Sequence, residues 1–180
     1  ENFGPAFDLK KAKTLWDSVS DRPSSIELSF DSQEKNILIM SWAQNEFKKA
    51  LGVEVRMRAM EWKAYLKYLS EDKPSLYRFA WLATFPDPLS HLNVFTSKNP
   101  NNYTGYANAQ YDQLVEKIAT TPKGAARSKL IRAAQRKLMG EDVVVMPLYH
   151  YVQYDLFSSK WRGLELTPMG LLYFDSAQRK

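Results

Sequence analysis

The sequence predicts an α/β fold, a mixed sheet around a parallel βαβαβ core with flanking helices. Three stretches carry the strand pattern. Ile26, Leu28 and Phe30 alternate with polar residues, Val53, Val55 and Met57 do so again, and Leu76 to Ala83 is nearly continuously apolar. The first two patterns suit half-buried strands and the third a buried one. Between them lie two stripes at helical spacing: Ile37, Met40, Ala43, Phe47 and Ala50, then Trp62, Tyr65, Leu66 and Leu69. Strand, helix, strand, helix, strand within about sixty residues implies parallel strands joined by crossovers.

The elements follow in order. Asp8 is placed to cap a first helix holding Leu9, Ala12, Leu15 and Trp16 inward. Asp31 and Glu34 stand at capping-box spacing before the second helix, which Gly52 ends. Asp72 and Pro74 close the third helix. From Phe85 to Thr104, Pro86, Pro88 and Pro100 with many Asn and Ser predict loop, broken by a short helix over Leu89–Phe95. Asn108 caps a helix carrying Tyr111, Leu114, Val115 and Ile118. Another runs from about Gly124 to Met139, with Leu130, Ile131, Ala134 and Leu138 inward. Val143 to Phe157 reads as a strand bent at Pro147. The tail from Trp161 reads as irregular, with a short strand near Leu171–Phe174. No repeat or low-complexity linker divides residues 1–180, so they form one domain.

Several chemistries are excluded. Without cysteine there is no disulfide, thiolate zinc site or cysteine nucleophile. No stretch reaches the roughly 20 apolar residues of a membrane span. A chain starting at Glu1 is expected to have lost an upstream segment. The glycines are too scattered for a phosphate loop, and no G-x-S-x-G elbow is present. Asp87 and His91, four apart, make half a metal site with no third ligand nearby. His150, flanked by tyrosines, reads as structural or groove-lining. Glu71–Asp72 and Glu141–Asp142 are solvated helix ends. Asn102-Tyr103-Thr104 matches the short glycosylation acceptor pattern. Neither an enzyme, nor a metal, nor a cofactor is expected.

The net charge of +5 is partly concentrated in one helix, where Arg127, Lys129, Arg132, Arg136 and Lys137 precede any acidic residue. A face of this kind binds nucleic acid or anionic lipid in some proteins. A solvated face is the reading preferred here, and a regulator or basic surface-binding module is the alternative. Of the aromatic residues, 10 Tyr, 9 Phe and 5 Trp, core filling takes most, and only a few rings are assigned to a ligand groove. The stretch Tyr77–Phe95 is the most informative. It leaves the carboxyl end of the third parallel strand, where open α/β sheets collect ligands. Arg78, Trp81 and the proline-stiffened turn after them have the makings of a binding lip.

At these residues the sequence resembles the C-terminal lobe of the oligopeptide- and dipeptide-binding proteins that serve ABC importers. The series runs from the helix at Asp8–Lys13 through Leu51-Gly52-Val53-Glu54-Val55 to Glu61-Trp62-Lys63 and Tyr65-Leu66. It continues with Trp81, Asp87-Pro88, Asn93, Asn99, Tyr106-Ala107-Asn108 and Tyr111-Asp112-Gln113-Leu114. Arg127, Val145-Met146-Pro147-Leu148-Tyr149 and Gly163-Leu164 complete it. The resemblance implies a periplasmic-binding-protein-like lobe of a longer clamshell whose N-terminal lobe is missing here. It implies capture of peptides or similar small solutes outside the cytoplasmic membrane, in the periplasm or on a membrane anchor, and delivery to an ABC permease. By the same resemblance Trp81 stacks on ligand, Arg78 meets a peptide carboxylate, Thr84 and Phe85 line the cleft, and Asp87 and Pro88 shape the loop. Peptide-binding members often carry an acidic residue three positions after that tryptophan, to pair with the free α-amino group. Here Thr84 stands there. Recognition is therefore not expected to rest on a free amino terminus, unless another residue, Asp87 being nearest, supplies the charge.

Overall fold

The computed structural model describes residues 3–72, 74–149, 152, 154–167 and 169–180. Strands β1 (Ser25–Asp31) and β2 (Glu54–Met60) pair in parallel, in register from Ser25↔Glu54 to Asp31↔Met60. Their alternation puts Leu28, Phe30 and Val55 into one core with Met40 and Ala43 of helix α2 (Glu34–Leu51). Gly52 ends α2 in the left-handed conformation, φ 70°, which a side chain would disfavour. The expected capping box does not form. Gln33 occupies the cap position without a side-chain bond, while Asp31 accepts from Asn36 Nδ2 at 2.7 Å and pairs with Arg78. A buried carboxylate near a guanidinium gains more from that charge than from a helix N–H. Helix α1 (Leu9–Ser18) is capped by Asp8, but no residue in it is buried. Of its apolar stripe, Trp16 packs on the core whereas Leu9 and Leu15 stay exposed.

The third strand is reduced to one bridge. Ser29 N–H donates to Leu76 O at 3.1 Å and Ser29 O accepts from Arg78 N–H at 2.8 Å, which lays Tyr77 parallel beside Ser29 on the free edge of β1. The order is thus β2, β1, third segment. Pairing does not extend past this bridge, and β1 ends at Asp31, so the residues beyond Phe79 have no β1 residue beside them. Helix α3 (Trp62–Glu71) covers the junction. Its fully buried Tyr65 donates to Arg78 O at 2.6 Å and stands 3.1 Å from Ser29 O.

The second half is a helical layer. Helix α4 (Leu89–Leu92) runs into a 3₁₀ turn, Asn93–Phe95, and is followed by α5 (Ala109–Thr120) and α6 (Ala125–Arg136). A π-helical turn, Lys137–Glu141, extends α6. Leu92, Tyr111, Val115, Ile118, Ala134 and Leu138 make the second core, and the Tyr111 hydroxyl donates to Leu92 O at 2.7 Å. Asn108 caps α5 as expected, accepting from Gln110 and Tyr111. Asn102, matched above to a glycosylation acceptor, instead holds its loop closed. Its amide donates to Tyr106 O and Thr96 O, and its carbonyl accepts from the Thr104 hydroxyl at 2.6 Å.

Beyond α6 the chain loosens. The tail makes two antiparallel ribbons, β3 (Trp161–Arg162) with β6 (Gln178–Arg179) and β4 (Glu165–Leu166) with β5 (Leu172–Tyr173). The strand expected over Val143–Phe157 is absent among its described residues, because no strand lies alongside to take its hydrogen bonds. Met146, Leu148, Val152 and Leu156 are left exposed. His150 and Tyr151 lie outside the described residues.

If Tyr65 secures the third segment, Tyr65→Phe should lower stability by about 1–3 kcal/mol in urea unfolding, the range for stripping a buried hydrogen bond. Tyr68→Phe, whose hydroxyl meets Glu27 near the surface, should stay within about 0.5 kcal/mol of the parent. Equal losses would mean that Tyr65 contributes only bulk.

Candidate functional site

After Arg78 the chain has left the sheet and its side chains turn to a groove of about 830 Å³. Tyr77, Phe79 and Trp81 line it together with Tyr103, Tyr106 and Val143–Met146. Phe79 stacks on Trp62, with centroids 6.2 Å apart and planes 17° apart, and meets Tyr103 edge-on at 5.5 Å. A continuous aromatic run, Trp62–Phe79–Tyr103, therefore borders the carboxyl edge of the parallel strands. Sequence reasoning missed Trp62 and Phe79. The signal was present: Trp62 opens the helix that follows β2, the same topological position that singled out Trp81 after the third segment. Tyr103 sits in a loop with no periodicity to mark it. Burial raises the Tyr77 hydroxyl to about 12, so it is neutral and able to donate at physiological pH.

Trp81 is half-buried, and its indole N–H donates to Ser90 O at 3.1 Å. The Thr84 N–H donates to Ser90 Oγ at 2.8 Å, and the two hydroxyls lie 3.1 Å apart. Buried Ser90 thus fastens the lip to α4. Trp81 also borders a second cavity of about 680 Å³, into which Thr84 and Phe85 contribute as well. The structure therefore brings Trp81, Thr84 and Phe85 together. Arg78 lines neither cavity. Its guanidinium is 3.0 Å from Asp31 Oδ2, in a pair whose side chains are 13% and 2% exposed.

Asp87 and Arg127 form the strongest polar contact of the site. The guanidinium grips the carboxylate at 2.9 and 2.8 Å, and its Nε donates to Ile118 O at 3.0 Å. Asp87 Oδ1 also accepts from Leu89 N–H at 2.9 Å, and Pro88 takes the position before α4. Both residues therefore sit where a loop-shaping role requires. With both oxygens engaged, Asp87 serves neither a ligand ammonium nor a metal shared with His91. Among the described residues no three metal-ligating side chains gather, and no helix is long and apolar enough to cross a membrane.

The basic helix changes character for the same reason. Arg127 turns inward to Asp87, and Lys137 lies 3.5 Å from Glu141 and 3.6 Å from Asp142 with little exposure. The five cations counted in the sequence do not share one face, so the surface-binding alternative loses its footing.

Hydrogen bonds from Arg127 hold the Asp87 carboxyl below the usual carboxylate range. A lowered folded-state value means that the stabilisation is complete above the ordinary carboxylate pKa and is lost as pH falls through the lowered one. Asp87→Asn leaves a buried guanidinium without its counter-charge and should cost about 3–5 kcal/mol at neutral pH. In chemical denaturation repeated down to strongly acidic pH, the gap between parent and variant should close. A gap independent of pH would show that the charge is irrelevant.

No family model matches the chain. Individual proteins do. The oligopeptide-binding protein OppA of Bacillus subtilis is 30% identical over 163 residues, which are 90% of this chain and 30% of that protein. The periplasmic murein peptide-binding protein MppA of Escherichia coli is 26% identical over 156 residues, 85% of this chain and 29% of that protein. The chain thus spans less than a third of the length of these relatives. Among solved structures, unliganded open MppA superposes with a TM-score of 0.68 at 26% identity, over 73% of this chain and 26% of that one. Haemophilus influenzae OppA in complex with RPPGFSPFR superposes with a TM-score of 0.77 over 86% of this chain and 31% of that one, a likeness of fold at 21% identity. These relatives are binding proteins rather than enzymes. These matches lead to one conclusion: the chain is homologous to one part of the oligopeptide- and dipeptide-binding proteins, under a third of their length.

Proposed function

We propose that the chain is the C-terminal lobe of a longer two-lobe solute-binding protein and forms one wall of its peptide cleft. The observation that carries this reading is the groove at the carboxyl edge of the parallel strands, lined by Tyr77, Phe79, Trp81 and Tyr103. Aromatic rings supply large contact area at low entropic cost and accept varied side chains, which suits a peptide binder. Trp81 stacks on the ligand, Thr84 and Phe85 extend the wall, and Asp87 and Pro88 hold the loop. Arg78 meets a ligand carboxylate only by giving up Asp31.

The relatives' names, which speak of oligopeptides and murein peptides, support a peptide or similar small solute as ligand. The exposed apolar side chains of the stretch after α6, with Leu156 98% exposed, and of Leu171 and Phe174 support a second lobe that would cover them. The protein acts outside the cytoplasmic membrane, hands its solute to a permease and makes or breaks no bond.

One wall offers only part of the burial that a small ligand needs. Calorimetry with a peptide mixture should therefore show binding to the protein at its natural full length and much weaker binding to the 180-residue chain alone. At full length, Trp81→Ala should weaken binding about tenfold, the order of an aromatic contact plus its buried area. Micromolar or tighter binding by the isolated chain would contradict the divided cleft.

A further inference from the structure

The turn that ends α6 has an unusual occupant. The π-helical turn Lys137–Glu141 closes with two backbone bonds, Asp142 N–H to Lys137 O and Val144 N–H to Leu138 O, both 2.9 Å. Between these two donors Val143 adopts the left-handed conformation, φ 47°. Helices commonly end on a left-handed residue, and that residue is usually glycine. Gly52 ends α2 in this way without strain. A β-branched side chain in the same conformation is strained, and among the described residues Val143 is the one non-glycine with positive φ.

Asp142, just before it, is held by three side chains. The Tyr106 hydroxyl and Asn108 Nδ2, the latter at 2.9 Å, donate to its Oδ2, and Lys137 Nζ lies 3.6 Å away. Asn108 also caps α5, so the end of α6 is tied to the start of α5. Past the turn, Val143 to Met146 line the groove together with Tyr77 and Phe79, and Tyr106 lines it as well. The residues that bend the chain therefore also border the groove.

We propose that Asp142 is a positioning residue, which with Tyr106 locks the turn so that the strained Val143 and the three residues after it form one wall of the groove. The inference rests on the peptide-cleft reading above. A glycine would close the turn with less strain, and for a helix that only had to stop it would suffice. It would also remove the valine side chain from the groove and leave the wall behind it freer to move. Backbone outliers of this kind persist only where the surroundings fix them, and the donors on Asp142 fix this one. The strain is thus retained for the contact that the Val143 side chain, 47% exposed, makes with ligand.

The test sets stability against binding in the protein at its natural full length. A random tripeptide mixture would be offered, mass spectrometry would read what is retained, and urea unfolding would read stability. Val143→Gly should raise the urea midpoint, because the strain is gone. It should also retain roughly fivefold less peptide, the order of a partly buried valine contact. A residue that serves the fold alone would not move the two in opposite directions. Tyr106→Phe keeps the ring in the groove but loses the bond, and it should lower retention as Asp142→Ala does. Asp142→Asn keeps an oxygen for Tyr106 and Asn108 and should stay near the parent. Unchanged retention in Val143→Gly, or stability and retention falling together, overturns the inference and leaves the peptide reading standing. So does unchanged retention in both Tyr106→Phe and Asp142→Ala. Retention of no peptide by the parent overturns the reading and the inference together.

Discussion

Two backbone hydrogen bonds at Ser29, one to Leu76 and one from Arg78, determine where the binding lip can stand. They attach the third segment to β1 for the length of a single bridge, with Tyr65 sealing the junction from α3. Beyond that bridge the third segment makes no further ladder pair with β1. The chain must then leave the sheet at its carboxyl edge, and it carries Phe79 and Trp81 with it. Its far end is caught by the Arg127 grip on Asp87, which ties the loop to α5 through Ile118 O and to α4 through Leu89. Each bond contributes only about 1 kcal/mol net, but together with the bonds of Trp81 and Thr84 to Ser90 they hold the segment in place outside any sheet.

What could be read from the sequence was what depends on local period. The alternation at Ile26–Phe30, most of the stripes of α2, α3 and α5, and the caps at Asp8, Asn108 and Gly52 reappear, whereas Ile37, Met57 and Trp62 stay exposed. What could not be read depends on partners distant in the chain. Asp31 has the spacing of a capping residue, yet its oxygens go to Asn36 and to Arg78, which arrives from the third segment. The apolar run Leu76–Ala83 looks like a strand, but nothing in it records that it meets β1 at a single bridge. The run after α6 looks like a strand for the same reason and has no neighbour among the described residues. Arg127 looked like one of five surface cations because its partner, Asp87, lies in another element.

Of the candidate site, the sequence singled out the lip: Trp81 stood out by its position after the third segment, and the resemblance added Thr84, Phe85, Asp87 and Pro88. Trp62 and Phe79 obey the same rule, and their stacking makes the wall continuous. Tyr103 comes from a loop that the sequence does not connect to the sheet. Trp81, with Val94 and Asn101, lines both cavities, so the packing of the lip shapes the two together.

The most direct measurement of the central claim is a crystal structure of the protein at its natural full length with a captured peptide. The account predicts ligand atoms in van der Waals contact with the Trp81 indole and with the Phe79–Tyr103 run, between this wall and a second lobe. A peptide bound elsewhere on the molecule, with Trp81 untouched, would contradict it.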